Sequence, residues 1–309
     1  MFQTTFLNVL LSLLYMVPGY IFCKIKMVKA EHLPTMSFFL IYFCSPCMVV
    51  SAFLGLPESK ENTKYMLLFF VFSLLVQVFF FLLLFMFLHK KQENSIFRIL
   101  NVGSVLGNVG FFGLPLVKAL FPQNPEVACY STIFVVSMNF LVFTLGVYCI
   151  TGDKKSISVK NAFLNPAFFS FLLAFPLYLL HGKDFIPDFL FSGIDVVGKM
   201  TTPMCMLILG VRLATIPLKK LFSNPLVYAT CGLKLLFLPL LGFGISMLFP
   251  LPATFSYSML ILGGTPCASV LLGMAEMHGK TTDLAAECIL LSTLLSIFTL
   301  PLLALLIHI

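Results

Sequence analysis

Charge is the scarcest thing in this 309-residue chain. Lys, Arg, Asp and Glu make up 10% of it, against roughly 25% in soluble globular proteins. Tryptophan is missing, only 12 residues are acidic, and the five His show no metal-ligand spacing. A soluble enzyme, a disordered chain and a nucleic-acid binder each need charged surface that this sequence cannot supply. Apolar residues take its place: 60% of the chain is hydrophobic, with 36 Phe, and the mean hydropathy is +1.04. A membrane crossing takes about 20 apolar residues, leaving room for at most about twelve to fourteen. This is the composition of a polytopic membrane protein.

Further absences narrow the reading. The first apolar run lacks a basic leader and continues to full span length, so it is expected to be a span and not a cleaved signal peptide. The nine Cys fall almost entirely inside apolar runs, among them Cys129, Cys231 and Cys288. That is packing use, not a disulfide framework. Cys44-Ser-Pro-Cys47 has redox-motif spacing but lies mid-span. There is no phosphate-binding loop, no glycosidase carboxylate pair and no His-Glu zinc motif. Neither a cofactor nor a metal is expected, and the chain is not read as an enzyme.

Apolar runs, separated by charged or Pro/Gly-rich breaks, predict ten spans at about 4–23, 36–56, 66–88, 98–121, 129–150, 163–180, 189–211, 224–248, 255–277 and 284–307. Connections are short, with no room for a soluble domain. Alternate loops hold Lys24, Lys26, Lys29, Lys90, Lys91, Arg98, Lys154, Lys155, Lys160, Arg212, Lys219, Lys220 and Lys280. The other set holds only Lys60, Lys64, Lys118 and Lys183. The richer set is expected on the cytoplasmic side, with both termini outside a multi-pass protein of the plasma membrane.

The two halves resemble each other. Spans 2 and 7 carry hydroxyl–proline pairs, Ser45-Pro46 and Thr202-Pro203; spans 4 and 9 carry Gly-rich stretches ending in Pro115 and Pro266. Pro46 and Pro203 are 157 positions apart, Pro115 and Pro266 151. Near-equal spacing suggests a repeat of five spans, residues 1–150 and 151–309. Five being odd, the second copy inserts inverted, the plan of secondary transporters whose interrupted spans mark the binding site. Proline removes an N–H and crowds the preceding turn, so breaks are expected just before Pro115 and Pro266, with Thr265 capping the new half-helix. Half-helix N-termini converging at the midplane would attract an anion.

Gly107-Asn-Val-Gly-Phe-Phe-Gly-Leu-Pro-Leu116 resembles the fourth-span signature of the auxin efflux carrier family. Pro203-Met-Cys-Met-Leu-Ile-Leu-Gly210 and the run from Gly264-Thr-Pro-Cys-Ala-Ser269 through Ser292-Thr-Leu-Leu-Ser296 to Pro301 are similar to that family too. The likeness covers essentially the whole chain. It implies an all-α fold of ten transmembrane helices in two inverted five-helix repeats, with broken helices 4 and 9 crossing at their prolines. It also implies an elevator-like cycle of a transport part against a scaffold. Plant members export auxin; bacterial members are associated with malate, malonate and similar acids. Lacking the long central loop of the large plant carriers, this chain resembles the compact bacterial type.

Candidate substrate contacts are Asn108, Gly110, Gly113 and Pro115 in span 4, Gly264, Thr265 and Pro266 in span 9, Asn139 in span 5 and Lys234 in span 8. An ionisable Lys234 well inside a span is costly, and would either neutralise a substrate carboxylate or take the place of a coupling cation. Asn139 serves equally well as glue between helices. Ser45, Pro46, Thr202, Pro203, Ser269 and Thr293 are weaker candidates, since hydroxyls commonly bond their own helix carbonyls. Lys199 and Asp195 suit an i,i+4 surface pair. No acidic residue occupies the middle of a span, which weighs against a sodium–proton antiporter. The leading reading is a carrier of small organic anions, such as dicarboxylates or auxin-like carboxylates. A coupled antiporter or symporter and a non-transporting carboxylate sensor are the alternatives. Partners would be the anion and membrane lipid, not nucleic acid; a homodimer is left open.

Overall fold

The computed structural model describes residues 1–308 apart from 89, 90, 92, 93 and 278–280. Lys90 and Lys280, two of the basic residues in the orientation argument, lie outside the described residues. In chain order the main helices are α1 Phe2–Lys24, α2 Ala30–Leu54, α3 Lys60–Phe87, α4 Ser95–Gly103, α5 Val109–Leu120, α6 Glu126–Thr151, α7 Pro166–Leu179, α8 Asp188–Thr215, α9 Pro225–Ser246, α10 Ala253–Gly263, α11 Val270–Met277 and α12 Thr282–Leu306. Seven of these (α1, α2, α3, α6, α8, α9 and α12) are long and apolar enough to cross a membrane, while α5, α7 and α10 are shorter apolar helices. Among the described residues there is no strand, only one isolated antiparallel bridge, Gly107 to Cys267.

These segments are helical because they are apolar around most of their circumference and carry few charges, with their mid-helix polar side chains turned inward, as Ser73, Gln77 and Ser137 are. On α3 one face buries Phe69, Val76 and Phe80, while Val71, Leu75 and Phe79 point outward. An outward apolar face suits hydrocarbon, where a helix satisfies its own backbone. Side chains start several helices. Ser59 caps α3 by accepting from the Asn62 amide at 3.0 Å, and Asn94 caps α4 through the Ile96 amide at 2.9 Å. Asn165 and Asn224 cap α7 and α9, each followed by a proline at the first helical position.

The prolines act differently from expectation. Wide π-type turns occupy Leu40–Cys44, Val109–Gly113 and Leu233–Phe237, each beginning six residues before a proline: Pro46, Pro115 and Pro239. Proline cannot donate, and it crowds the preceding turn. Widening that turn absorbs the clash without ending the helix. Pro115 therefore sits inside α5, and the helix is interrupted earlier, at 104–108. The second interruption, 264–269, does contain Pro266, but helix resumes only at Val270.

Packing sorts the helices. α1 lies along α8, α2 packs on α7 and on the first half of α8, and α3 packs on α6. α12 fits against α9 and α4, and α10 against α6 and α9. Where α1 meets α8 the backbones touch. A Cβ on Gly19 would fall 2.2 Å from the Leu207 carbonyl, and one on Gly210 would fall 2.0 Å from the Met16 carbonyl. Only glycine allows that approach.

Candidate functional site

The two interruptions meet in the core. The Asn108 amide donates to the Pro266 carbonyl at 2.7 Å, and the Ala268 amide donates to the Leu106 carbonyl at 3.0 Å. Together these form the Gly107–Cys267 bridge. Backbone groups left over when a helix stops in the core must find partners. Here each broken strand of chain supplies the other's. The Asn108 carbonyl in turn accepts from the Phe112 and Gly113 amides, at 3.2 and 3.1 Å, starting α5.

Side chains brace the joint from three helices. Ser131 of α6 donates to the Val109 carbonyl at 2.8 Å. Ser292 of α12 accepts from the Cys267 amide at 2.9 Å, and the Cys267 thiol donates to the Gly103 carbonyl at 3.3 Å. Thr202 of α8 donates to the Phe111 carbonyl at 2.6 Å. Cys205, one turn further along α8, takes the Asn108 side-chain amide at 3.8 Å and lies near Ser269.

Lys234 enters the same knot from the π-turn of α9. It is 1% exposed, and its ammonium donates to the carbonyl of Gly263, the last residue of α10, at 2.5 Å. A helix C-terminus carries partial negative charge, so the cation sits on a dipole end. Among the described residues no carboxylate pairs with it. A Cβ on Gly107 would fall 3.0 Å from the Lys234 Nζ and 2.7 Å from the Thr265 Oγ1. Gly107 is therefore small because the ammonium and the hydroxyl press on it.

Beside the joint a cavity of about 290 Å³ opens between α1, α2, α5 and α8. Pro115, Thr202 and Pro203 line it, together with Phe112, Lys118 and Asp195. On the side of the molecule that carries the C-terminal end of α8, Arg212 pairs with Glu276 at 3.2 Å and Lys220 with Asp283 at 2.6 Å. Asp283 holds the exposed Lys220 ammonium above its ordinary pKa.

The family model described as "Membrane transport protein" matches residues 4–163 and 155–304. The chain belongs to that family. It is the auxin efflux carrier family to which the span signatures pointed. An uncharacterized transporter of Methanocaldococcus jannaschii is 23% identical over 299 residues, covering 95% of this chain and 96% of the relative. Another, from Methanothermobacter thermautotrophicus, is 29% identical over 212 residues, covering 66% of each chain. This chain is thus an integral, multi-pass membrane transport protein.

The structure divides the anticipated site residues of this transport protein. Asn108, Gly113, Gly264, Thr265, Pro266, Ser269 and Lys234 gather at the joint or against it, while Gly110, in the π-turn that follows, faces Val135 and Met48. Pro115, Thr202 and Pro203 face the cavity. Thr265 does not cap α11: its hydroxyl turns back to the Leu262 carbonyl at 2.7 Å. Asn139 bonds Asn165 at 3.3 Å, tying α6 to the start of α7, away from the joint. Thr293 bonds its own helix at Ile289, and Ser45 with Pro46 sits at the π-turn of α2. Sequence reasoning missed Cys205, Cys267, Ser292 and Ser131. In the sequence the cysteines have the pattern of packing residues, and nothing in a bare sequence says which carbonyl a serine will serve. Lys199 and Asp195 do pair, at 2.6 Å, but the carboxylate is only 23% exposed and lines the cavity.

Proposed function

We propose that the chain is a secondary carrier of small organic anions, built as ten spans in two inverted repeats, 1–150 and 151–309. In this reading α4 with α5 and α10 with α11 are the two interrupted spans that cross at the membrane midplane. The packing supports the repeat, because contacts recur when each span is exchanged for the one five places on; the inversion follows from the odd number of spans per repeat. The α1–α8 contact becomes α7–α2, α3–α6 becomes α9–α12, and α10–α6 becomes α4–α12. α1, α2, α7 and α8 then form a scaffold, and the remainder a transport part that slides against it. Cytoplasmic Arg212–Glu276 would close one side while the cavity opens on the other.

The observation that carries the proposal is the main-chain joint beside a buried Lys234 that pairs with no carboxylate among the described residues. An interrupted pair of spans offers backbone dipoles at membrane depth. A fixed ammonium on the end of α10 occupies the place a coupling cation would take and leaves the site positive. An anion carrier needs that sign; a cation antiporter needs a carboxylate at the joint, and Asp195 and Glu287, inward carboxylates among the described residues, lie against Lys199 and Lys220 instead. With no coupling group evident, the membrane potential is the proposed driving force, worth about 2.3 kcal/mol per charge per 100 mV. An inside-negative potential favours efflux.

The test is flux of radiolabelled malate, malonate and indole-acetate in proteoliposomes, under an imposed potential and separately under sodium and pH gradients. Flux that follows the potential alone is expected. A strict requirement for an ion gradient would make the protein a coupled carrier. Saturable binding without flux would make it a sensor.

A further inference from the structure

The cavity beside the joint holds more charge than the crossing needs. Lys118 projects from the last turn of α5, and Lys199 and Asp195 come from α8. Asp195 is the held member of the set. Ser51 of α2 donates to one of its oxygens at 2.6 Å, and the Lys199 ammonium reaches the other at 2.6 Å. Lys118 lies near enough to act on Asp195 electrostatically, yet it makes no ion pair within 4 Å among the described residues. Both ammonium groups are exposed at the mouth, whereas the carboxylate is turned inward. Thr202 and the ring of Pro115 continue the wall from this mouth to the joint.

The charge count of the mouth is therefore two cations and one fixed anion, a surplus of one positive charge. A ligand with one carboxylate neutralises it; a dianion overshoots and meets Asp195 as a like charge. The remaining wall is largely apolar, with Val9, Leu11, Met48 and Phe112. We propose that this mouth is a recruitment site for the single carboxylate of a small, apolar-bodied acid. Lys118 and Lys199 take the carboxylate, and Asp195, anchored by Ser51, sets the valence that is admitted. The site differs from the crossing: it selects by charge before the substrate reaches the joint. The inference rests on the anion-carrier reading above and narrows its substrate class to monocarboxylates.

Equilibrium binding of radiolabelled indole-acetate and malonate to the purified full-length chain in nanodiscs tests it without requiring flux. Wild type should bind the monocarboxylate more tightly than the dicarboxylate. Asp195→Asn keeps an acceptor for Ser51 and nearly the same shape, but raises the surplus to two charges. It should shift the affinity ratio toward malonate by about tenfold, the scale of one near charge at a partly wet site. Lys118→Gln removes the surplus and should weaken indole-acetate binding by a similar factor, with the unfolding midpoint unchanged. If carboxylates bind but the ratio is the same in Asp195→Asn as in wild type, the valence filter is overturned while the carrier reading stands. If folded wild type binds neither acid, the carrier reading falls and takes the filter with it.

Discussion

Replacing Gly107 by alanine is the sharpest probe of the joint. The added Cβ lies 2.7 Å from Thr265 Oγ1, 3.0 Å from Lys234 Nζ and 3.1 Å from Lys234 Cε, where ordinary contact begins at 3.4 Å. Thr265 would have to retreat by roughly 0.7 Å and Lys234 by roughly 0.4 Å, and overpacking of this kind costs about 1–3 kcal/mol. Neither neighbour yields freely, since Leu262 holds the hydroxyl and Gly263 the ammonium. Thr265→Ala removes the nearer obstacle at the cost of one hydrogen bond, about 1 kcal/mol. The double variant should therefore be less damaged than the sum of the singles, with a coupling of about 1 kcal/mol. The chain has no Trp, so unfolding is best followed with a thiol-reactive fluorophore; seven of the nine free cysteines are buried. Gly107→Ala should lower the midpoint by about 2–12 °C, at about 2–4 °C per kcal/mol for a large chain. Transport should fall with it. A Gly107→Ala protein that unfolds like wild type, or losses that simply add in the double variant, would refute the close-packed joint.

Two further outcomes follow from the same geometry. Lys234→Met keeps the bulk but removes a charge-assisted hydrogen bond worth about 1.5–3 kcal/mol. Flux in proteoliposomes should drop at least about tenfold while insertion persists, and undiminished flux would remove Lys234 from the site. Pro115→Ala with Pro266→Ala should not heal the interruptions, because main-chain groups hold them. Cys267 should stay as slow toward a membrane-permeant maleimide as in wild type, and a marked gain in its reactivity would show that the prolines set the break after all.

Much of this was legible in advance because the membrane makes strong demands on composition. The ten apolar runs all fall on helical segments, seven of them on helices long and apolar enough to cross a membrane, with starts displaced by six residues at Ala30 and Lys60, since hydrocarbon tolerates little else. Ser45-Pro46 and the stretch to Pro115 were recognisable as irregular, but the kind of irregularity was not. A proline's clash can be relieved by ending a helix or by widening one turn, and the sequence at 109–115 is compatible with either. The choice fell to tertiary pairing: residues 104–108 find hydrogen-bond partners in 266–268, and so the helix could stop there. Lys234 was visible as an anomaly, but its partner is a carbonyl, which every residue has. The same holds for Ser131, Thr202 and Ser292, whose acceptors or donors at the joint are backbone atoms. Asp195 looked like half of a surface pair because its lysine is four residues away. Its contact with Ser51, 144 positions distant, is what turns it toward the cavity.

The hydrogen bonds that close the bridge run between main-chain atoms, at Leu106, Asn108, Pro266 and Ala268. A fastening of this kind is nearly blind to side-chain identity and is constrained by size alone at Gly107. The walls of the neighbouring cavity, by contrast, consist of side chains that take no part in the fastening, Thr202 and Phe112 apart from their links to the π-turn. Residues such as Lys118, Asp195 or Met48 can therefore be exchanged without loosening the joint. An architecture arranged this way can be re-specified piecemeal, one wall residue at a time, while the fastening at its core is left alone.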